Sequence, residues 1–224
     1  MIEIKDVQKS FWIKGGKKVV ADGINAVFPT GRSVALLGRN GAGKSTLLQM
    51  IAGTISPDSG TITTTGTISW PVGFAGSFHR DLSGSQNTKF IARVYGVDTD
   101  ELLDFVQDFA ELGRHFYEPV KSYSAGMRSR LAFGLSMGIR FDTYLVDEVT
   151  SVGDADFKTR SRILFEDRIR NSGAVVVSHS MRKVKKMCDS AAVFENGKVT
   201  YFEDVNDGIA AYTASQGALD DDDD

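Results

Sequence analysis

The chain contains the stretch Gly38-Arg39-Asn40-Gly41-Ala42-Gly43-Lys44-Ser45-Thr46, and no other segment constrains its architecture as strongly. The stretch fits the pattern G-x-x-x-x-G-K-[ST] and lies between an apolar run, 33–37, and a helical pattern, 44–52. A strand, a glycine-rich loop and a helix in this order are typical of a phosphate-binding loop. The glycines let backbone N–H groups curl around phosphates, and the helix N-terminus adds a favourable dipole. The sequence therefore predicts a nucleotide site rather than an ordinary glycine-rich turn.

Two side chains of this loop indicate a nucleoside triphosphate with a magnesium ion. Lys44 can reach the β- and γ-phosphates, and the Ser45 hydroxyl is placed to bind Mg²⁺. We therefore expect the residues from Gly38 to Thr46 to bind ATP. Lys44 is also a catalytic candidate, and Ser45 is a metal ligand.

The composition is that of an ordinary globular protein. The 224 residues are 42% hydrophobic and 25% charged, with a net charge of −3. This balance gives no argument for a nucleic-acid-binding surface, and no apolar run approaches the roughly 18 residues that span a bilayer. Because Cys188 is the single cysteine and the N-terminus lacks the regions of a signal peptide, we expect a cytoplasmic chain. We predict one domain over residues 1–215, with a helical subdomain at about 80–140, and a disordered acidic tail at 216–224.

The order of strand and helix patterns predicts an α/β fold. Strand-like segments bounded by turns precede residue 65 and indicate a mixed, partly antiparallel layer. Apolar residues at helical spacing predict helices at 87–95, 100–112 and 124–139. Strands alternate with helices after residue 140, which argues for a parallel sheet. Asn196-Gly197 predicts a two-residue hairpin turn.

Two carboxylates follow an apolar strand, where Tyr144-Leu145-Val146 leads into Asp147 and Glu148. Open α/β sheets bind ligands at the carboxyl edge of their strands. We expect Asp147 to hold the magnesium shell and Glu148 to orient or deprotonate the attacking water. The alternative is a strand followed by a solvated acidic turn, and the upstream phosphate loop favours the catalytic interpretation.

A histidine ends the next strand, in Val177-Ser178-His179. A lone histidine at a strand end is commonly structural or exposed. This strand should lie near the strand of Asp147, so we expect His179 to point at a γ-phosphate as a catalytic residue.

A helix start with a second anion site lies ahead of Asp147. Tyr123-Ser124-Ala125-Gly126-Met127 combines a serine cap with a small Ala-Gly pair. In order with the other motifs, this string resembles the signature sequence of ABC-type ATPases, which is usually Leu-Ser-Gly-Gly-Gln. The resemblance to an ABC transporter ATP-binding subunit covers nearly the whole chain, from residue 2 to about residue 213.

Longer strings narrow the resemblance to the ATP-binding subunit of bacterial capsular polysaccharide exporters. They are Ser69-Trp70-Pro71-Val72-Gly73, the extended signature from Tyr123 to Leu131, and Val152-Gly153-Asp154-Ala155. The resemblance implies a P-loop ABC ATPase cassette with a mixed β-sheet core, an N-terminal antiparallel β layer and a helical subdomain. It also implies an ATPase that powers polysaccharide export through a transmembrane permease subunit, on the cytoplasmic face of the inner membrane.

The resemblance further implies a head-to-tail homodimer, with ATP between one copy's phosphate loop and the other copy's signature helix. Ser124 and Gly126 would touch the γ-phosphate, and the small Ala125 would leave the backbone accessible. Phe11 would stack on adenine, with Trp12 as the alternative, and Asp154 would lie in the D-loop at the dimer seam. Periplasmic and outer-membrane export components are further implied partners.

The chain departs from the family pattern at His79, at Ala125 and Met127 of the signature, and at 151–154, where Ser-Val-Gly-Asp replaces the common Ser-Ala-Leu-Asp. His79 stands where most of the family has a glutamine that contacts Mg²⁺ and senses the transmembrane partner, and imidazole could still hydrogen-bond water near the metal. Met127 replaces the signature glutamine. The adjoining Gly-rich segment 73–78 is either a buried loop or a groove that receives a coupling helix of the membrane subunit.

Three other functions compete with capsule export. A non-transport ABC protein would generally carry two cassettes or a coiled-coil insertion, and a P-loop phosphotransferase would not need the Ser124 helix. O-antigen and teichoic acid exporters often add a C-terminal carbohydrate-binding domain to the ATPase. Only 45 residues follow His179, from 180 to 224, which favours the capsule type.

Overall fold

The computed structural model describes residues 1–73, 76, 78–147 and 154–220, and for 217–220 it describes the backbone alone. The chain divides into two units. The first consists of Met1–Pro71, Phe141–Glu148 and Ile169–Asp224, and the second of Val72–Arg140 and Val149–Arg168. Of the helices that the structure describes, none has the length and apolar character that a bilayer crossing requires.

The first unit contains two sheets. The strands are β1 (Ile2–Ile13), β2 (Gly16–Phe28), β3 (Ser33–Leu37), β4 (Ser59–Thr64), β5 (Ile68–Pro71), β6 (Thr143–Asp147), β7 (Gly173–Val177), β8 (Ser190–Glu195) and β9 (Lys198–Phe202). β1 pairs antiparallel with β2 and with β4. The larger sheet has the order β5-β6-β7-β3-β8-β9, in which β9 is antiparallel to β8 and the other neighbours are parallel. The predicted N-terminal antiparallel layer, the mixed sheet core and the Asn196-Gly197 hairpin are confirmed.

The central strands of the larger sheet are buried along their whole length because both of their faces are covered. Every residue of β3 and of β7 is buried, as expected for parallel strands with continuous apolar sequence. Leu36, Leu145 and Val175 pack in one core cluster with Leu47 from the first helix after the phosphate loop. This packing fixes the strand ends that carry the candidate site.

The helices are α1 (Lys44–Ile51), α2 (Gly84–Tyr95), α3 (Thr99–Ala110), α4 (Ala125–Gly138), α5 (Ala155–Arg170), α6 (Met181–Met187) and α7 (Val205–Asp220). α2 begins three residues before the predicted start because Ser83 and Gln86 form a capping box. The Ser83 hydroxyl accepts from the Gln86 N–H at 3.1 Å, and the Gln86 side chain accepts from the Ser83 N–H at 2.9 Å.

The C-terminal helix extends further than the sequence pattern indicated. We predicted a disordered tail from residue 216, but α7 is helical through Asp220. Ala214 and Gln216 have high helix propensity and allow the helix to continue. Residues 221–224 of the predicted tail lie outside the described residues.

The second unit has its own aromatic core. The ring centroid of Phe109 on α3 lies 5.8 Å from that of Phe133 on α4 and 5.3 Å from that of Phe157 on α5. Such aromatic contacts add to the free energy gained from burial alone. Helix α4, which begins at the signature motif, is therefore packed against α3 and α5 through side chains of the second unit.

Ser69 compensates for an irregular pairing at the edge of the larger sheet. The register between β5 and β6 shifts between Ile68 and Pro71, and proline has no N–H to donate. The buried Ser69 hydroxyl accepts a hydrogen bond from the Leu145 N–H at 2.9 Å. A side chain thus satisfies a backbone donor inside strand β6.

We predict that Ser69→Ala lowers the free energy of unfolding by about 1–3 kcal/mol, because it leaves the buried Leu145 N–H without its partner. Ser59→Ala, at an exposed position of β4, is the matched control and should change that free energy by less than about 0.5 kcal/mol. Urea unfolding followed by circular dichroism measures both variants. Equal stability of the two variants would contradict the role of Ser69.

Candidate functional site

Three of the predicted site segments meet at one edge of the larger sheet. The phosphate loop follows β3, Asp147 ends β6, and His179 lies two residues after the end of β7. Strands β6, β7 and β3 are adjacent and parallel, so their carboxyl ends share the edge at which such sheets bind ligands. The Asp147 residue is half-buried and the His179 residue is exposed.

The shape of the phosphate loop requires glycine at two positions. A Cβ added to Gly38 would lie 2.5 Å from the carbonyl oxygen of Phe194, and one added to Gly43 would collide with a methyl group of Val20. Gly43 also has a φ of 119°, a conformation that other residues rarely adopt. Among the described residues, no side chain caps the start of α1, and the free N–H groups of a helix N-terminus favour an anion.

Lys44 lies along the inside of the loop. Its Nζ atom donates to the carbonyl oxygen of Gly38 at 2.6 Å and to that of Arg39 at 2.9 Å, and the residue is buried. A buried ammonium group needs such acceptors. The loop carbonyls thus hold the positive charge of Lys44 against the loop backbone.

The oxygen groups at this edge fit a magnesium nucleotide. Ser45 is exposed in the first turn of α1, and Asp147 ends the β6 strand. Hydroxyl and carboxylate oxygens are ligands that Mg²⁺ prefers, and this ion usually takes further ligands from substrate phosphates and water. The glycine-lined loop and the Lys44 charge supply the place for those phosphates.

The hairpin register distinguishes Phe11 from Trp12. Phe11 is paired with Lys18 across β1 and β2, and paired residues of antiparallel strands point to the same face. The Lys18 Nζ atom donates to the carbonyl oxygen of Gly41 at 3.2 Å, so this face is turned toward the phosphate loop. Trp12 points to the opposite face and is 83% exposed, compared with 37% for Phe11.

The second unit presents the signature residues at its surface. Ser124 caps α4 by accepting from the Met127 N–H at 3.2 Å, as its sequence predicted. Ser124, Ala125 and Gly126 are all exposed, whereas the preceding Tyr123 is buried. The motif therefore combines a buried anchor with an exposed helix start.

The glycine at position 126 is not explained by packing within the described residues. An added Cβ would have Ser124 Oγ as its nearest neighbour among the described atoms, at 3.9 Å, and Gly126 is not among the glycines with positive φ. By contrast, a Cβ at Gly138 of the same helix would lie 2.5 Å from a methyl group of Leu102. The absence of a side chain at Gly126 thus leaves room for something other than this chain's own atoms.

Asp154 is held against the signature helix by Arg130, a contact that the spacing of motifs could not predict. The Asp154 carboxylate accepts from the Phe157 N–H at 2.9 Å and from Arg130 Nη2 at 2.5 Å. The Phe157 N–H, with a smaller contribution from Arg130, holds the pKa of Asp154 below its ordinary value. The Arg130 guanidinium also lies 4.6 Å from the ring centroid of Phe157.

The backbone of His79 is fixed by a residue that the motif search missed. The Asn87 side chain accepts from the His79 N–H at 2.9 Å and donates to the His79 carbonyl oxygen at 3.1 Å. Asn87 is buried, while the His79 residue is exposed. The capping box at Ser83 could have indicated this arrangement, because it places Asn87 in the first turn of α2.

Some of the predicted site residues lie outside the part of the chain that the structure describes. Glu148, the predicted general base, lies outside the described residues, as do 149–153 and three residues of the segment 73–78 (Phe74, Ala75 and Ser77). The role of Glu148 and the choice between a buried loop and a docking groove stay predictions.

Comparisons with known proteins agree on one family. The ABC transporter family model matches residues 21–151. The polysialic acid transport ATP-binding protein KpsT of Escherichia coli is 51% identical over 219 residues, which cover 96% of this chain and 98% of that protein. The ATP-binding protein BexA of Haemophilus influenzae is 44% identical over 96% of this chain and 100% of its own length.

More distant matches include an O-antigen protein and a solved structure. The O-antigen export system ATP-binding protein RfbB of Klebsiella pneumoniae is 35% identical over 84% of this chain and 78% of its own length. A dimeric ATP-binding cassette solved in a post-hydrolysis state with ADP and Pi matches with a TM-score of 0.73 at 18% identity, over 92% of this chain and 99% of that chain. That likeness shows the fold. The chain therefore belongs to the ABC transporter family, as an ATP-binding subunit of the capsular polysaccharide export type.

Proposed function

We propose that this chain is the ATP-hydrolysing subunit that powers export of a capsular polysaccharide across the bacterial inner membrane. The observation that carries the proposal is the 51% identity to a polysialic acid transport ATP-binding protein over 96% of this chain. The O-antigen relative shares 35% over 84% of the chain, which favours a capsule substrate over an O-antigen. The phosphate loop of one copy and the exposed signature helix of the other copy supply the two halves of each ATP site.

The proposed assembly consists of two copies of this chain and a transmembrane permease subunit. The chain then lies peripherally on the cytoplasmic face of the inner membrane, and periplasmic and outer-membrane components complete the export route. ATP binding closes the dimer, hydrolysis reopens it, and the permease converts that cycle into alternating access. In this scheme His79 and the segment 73–78 form the part of the chain that contacts the permease.

The residues at the edge of the larger sheet divide the chemistry between them. The backbone N–H groups of the loop and Lys44 bind the phosphates, and Ser45 and Asp147 hold the magnesium ion. When bound, the ion neutralises charge that develops on the phosphate oxygens. Glu148 accepts a proton from the attacking water at its carboxylate, and His179 donates a hydrogen bond toward the γ-phosphate.

The surroundings of Gly126 support the sharing of ATP between two copies. Ser124 and Gly126 are exposed, and a methyl group at position 126 would meet no neighbour closer than 3.9 Å among the described atoms of this chain. A bound phosphate of the other copy is the group that this opening accommodates. Helix N-termini favour such an anion through their N–H groups and dipole.

We predict that Gly126→Ala lowers the ATPase rate by about 10- to 100-fold, since the methyl group separates a phosphate from the donors of the α4 N-terminus. Gly134→Ala on the same helix is the matched control, because its added Cβ would make ordinary contacts of 3.6–3.9 Å. Both changes replace a helical glycine by alanine and should leave the unfolding temperature unchanged or higher. Steady-state hydrolysis and thermal unfolding test this pair, and wild-type turnover by Gly126→Ala would exclude the shared site.

A second prediction separates the two aromatic candidates for the adenine. Phe11→Ala should raise the Kd for MgATP by about 2- to 12-fold, which corresponds to the roughly 0.5–1.5 kcal/mol of an aromatic stacking contact. Trp12→Ala, on the opposite face of the same hairpin, should leave that Kd within about twofold of wild type. Isothermal titration calorimetry measures both constants. A larger effect of Trp12→Ala would show that Trp12, and not Phe11, contacts the adenine.

A further inference from the structure

A buried tyrosine hydroxyl joins the signature motif to the start of α2. Tyr123, immediately before Ser124, is 3% exposed. Its hydroxyl accepts from the Gly84 N–H at 3.2 Å and donates to the carbonyl oxygen of His115 at 2.6 Å. Burial raises the pKa of Tyr123, so the hydroxyl remains a donor. Its two partners hold the residue that precedes the exposed signature serine.

The first residue of α2, Gly84, has no side chain that would collide with the Tyr123 hydroxyl. A Cβ added to Gly84 would lie 2.6 Å from the Tyr123 oxygen and 2.9 Å from a ring carbon of Phe116. Only glycine therefore lets the α2 backbone approach this closely. The Thr88 hydroxyl, one turn later, donates to the Gly84 carbonyl oxygen at 2.8 Å, which secures the same turn from inside the helix.

The same turn of α2 also holds His79. The Asn87 side chain binds both the N–H and the carbonyl oxygen of His79, at 2.9 and 3.1 Å. It also donates to the carbonyl oxygen of Ser83 at 2.9 Å. Consecutive hydrogen bonds therefore connect His79 to Asn87, and the first turn of α2 to the Tyr123 hydroxyl. All of these residues belong to the second unit.

The Tyr123 carbonyl is fixed as well. An Arg128 guanidinium N–H donates to it, and the Arg128 N–H donates to the Ser124 carbonyl oxygen at 3.0 Å. Arg128 thus contacts the backbone carbonyl groups on both sides of the Ser124 N–H, next to the buried Tyr123 side chain. Because the residues on both sides of the peptide between Tyr123 and Ser124 are held by these contacts, we expect a shift of the Tyr123 hydroxyl to move the signature serine with it.

We propose that the Tyr123 hydroxyl is a positioning contact that fixes Ser124 relative to His79, so that a displacement of His79 moves the signature serine. This inference rests on the proposed function, in which His79 faces the permease and Ser124 contacts the phosphate of the other copy. Tyr123 itself touches neither ATP nor water in this scheme. Its hydroxyl links the site that senses the permease to the site that completes the ATP pocket.

Tyr123→Phe tests the inference in the full-length subunit, because it removes the hydroxyl and keeps the buried ring. The kcat for ATP hydrolysis should fall by about 3- to 10-fold, the effect of one lost hydrogen bond in an aligned network. The Kd for MgATP should stay unchanged, since the phosphate loop belongs to the first unit. Tyr117→Phe is the matched control: its hydroxyl donates to Gln107 at 2.9 Å and the residue is 63% exposed.

Amide hydrogen exchange of the same variants distinguishes a positioning role from a purely local structural one. A local role of the Tyr123 hydroxyl would change exchange only at its direct partner, Gly84. In Tyr123→Phe, exchange should rise at His79 and at 124–128 as well as at Gly84, which loses its acceptor directly. Tyr117→Phe should show wild-type exchange at these positions. Exchange confined to Gly84, together with wild-type kcat measured well below the unfolding temperature, would overturn the inference.

Gly126→Ala in the same assays separates the two proposals. If Gly126→Ala is impaired and Tyr123→Phe is not, the shared ATP site stands and the positioning role of Tyr123 is wrong. If Gly126→Ala is also fully active, the shared site itself is wrong, and the inference about Tyr123 is overturned with it.

Discussion

The proposed site depends on the tight packing of two strands, β2 and β8, against the phosphate loop. The carbonyl oxygen of Phe194 in β8 would lie 2.5 Å from a Cβ at Gly38, and Val20 in β2 blocks a Cβ at Gly43. The loop is thus flanked by a strand from each sheet of the first unit, and side chains are excluded at Gly38 and Gly43. The close backbone packing at these two positions leaves the loop N–H groups, together with Lys44, able to face an anion. Asp147 reaches the same edge because β6 is parallel to β7 and β7 to β3.

In the second unit, a buried polar side chain stands beside each of two exposed positions of the proposed site. Tyr123 is buried next to the exposed Ser124, and the buried Asn87 holds the backbone of the exposed His79. In the proposed function these exposed residues meet another molecule, and their buried neighbours give them a defined position. Such support preorganises a site at little cost at the moment of binding.

Much of the first unit could be predicted from the sequence because its signals are local. The phosphate loop, the Asn196-Gly197 turn and the continuous apolar strands depend on residues close in the chain. The preference for Phe11 over Trp12 came from the family resemblance and not from a local signal, because it depends on which face of the hairpin lies toward the phosphate loop, as the Lys18 contact with Gly41 indicates. The partnership of Tyr123 with Gly84 was equally inaccessible, since it joins residues 39 positions apart through one hydroxyl group. Long-range contacts of single atoms leave no periodic pattern.

Mixed dimers offer the most direct measurement of whether two copies share each ATP site. A Lys44→Ala copy lacks phosphate binding but keeps its signature helix, whereas a Gly126→Ala copy has the converse defect. If the site is shared, a mixture of the two variants forms dimers with one intact site and hydrolyses ATP well above the mean of the separate variants. A rate equal to that mean at every mixing ratio would contradict the shared site and show that each copy carries a complete site of its own.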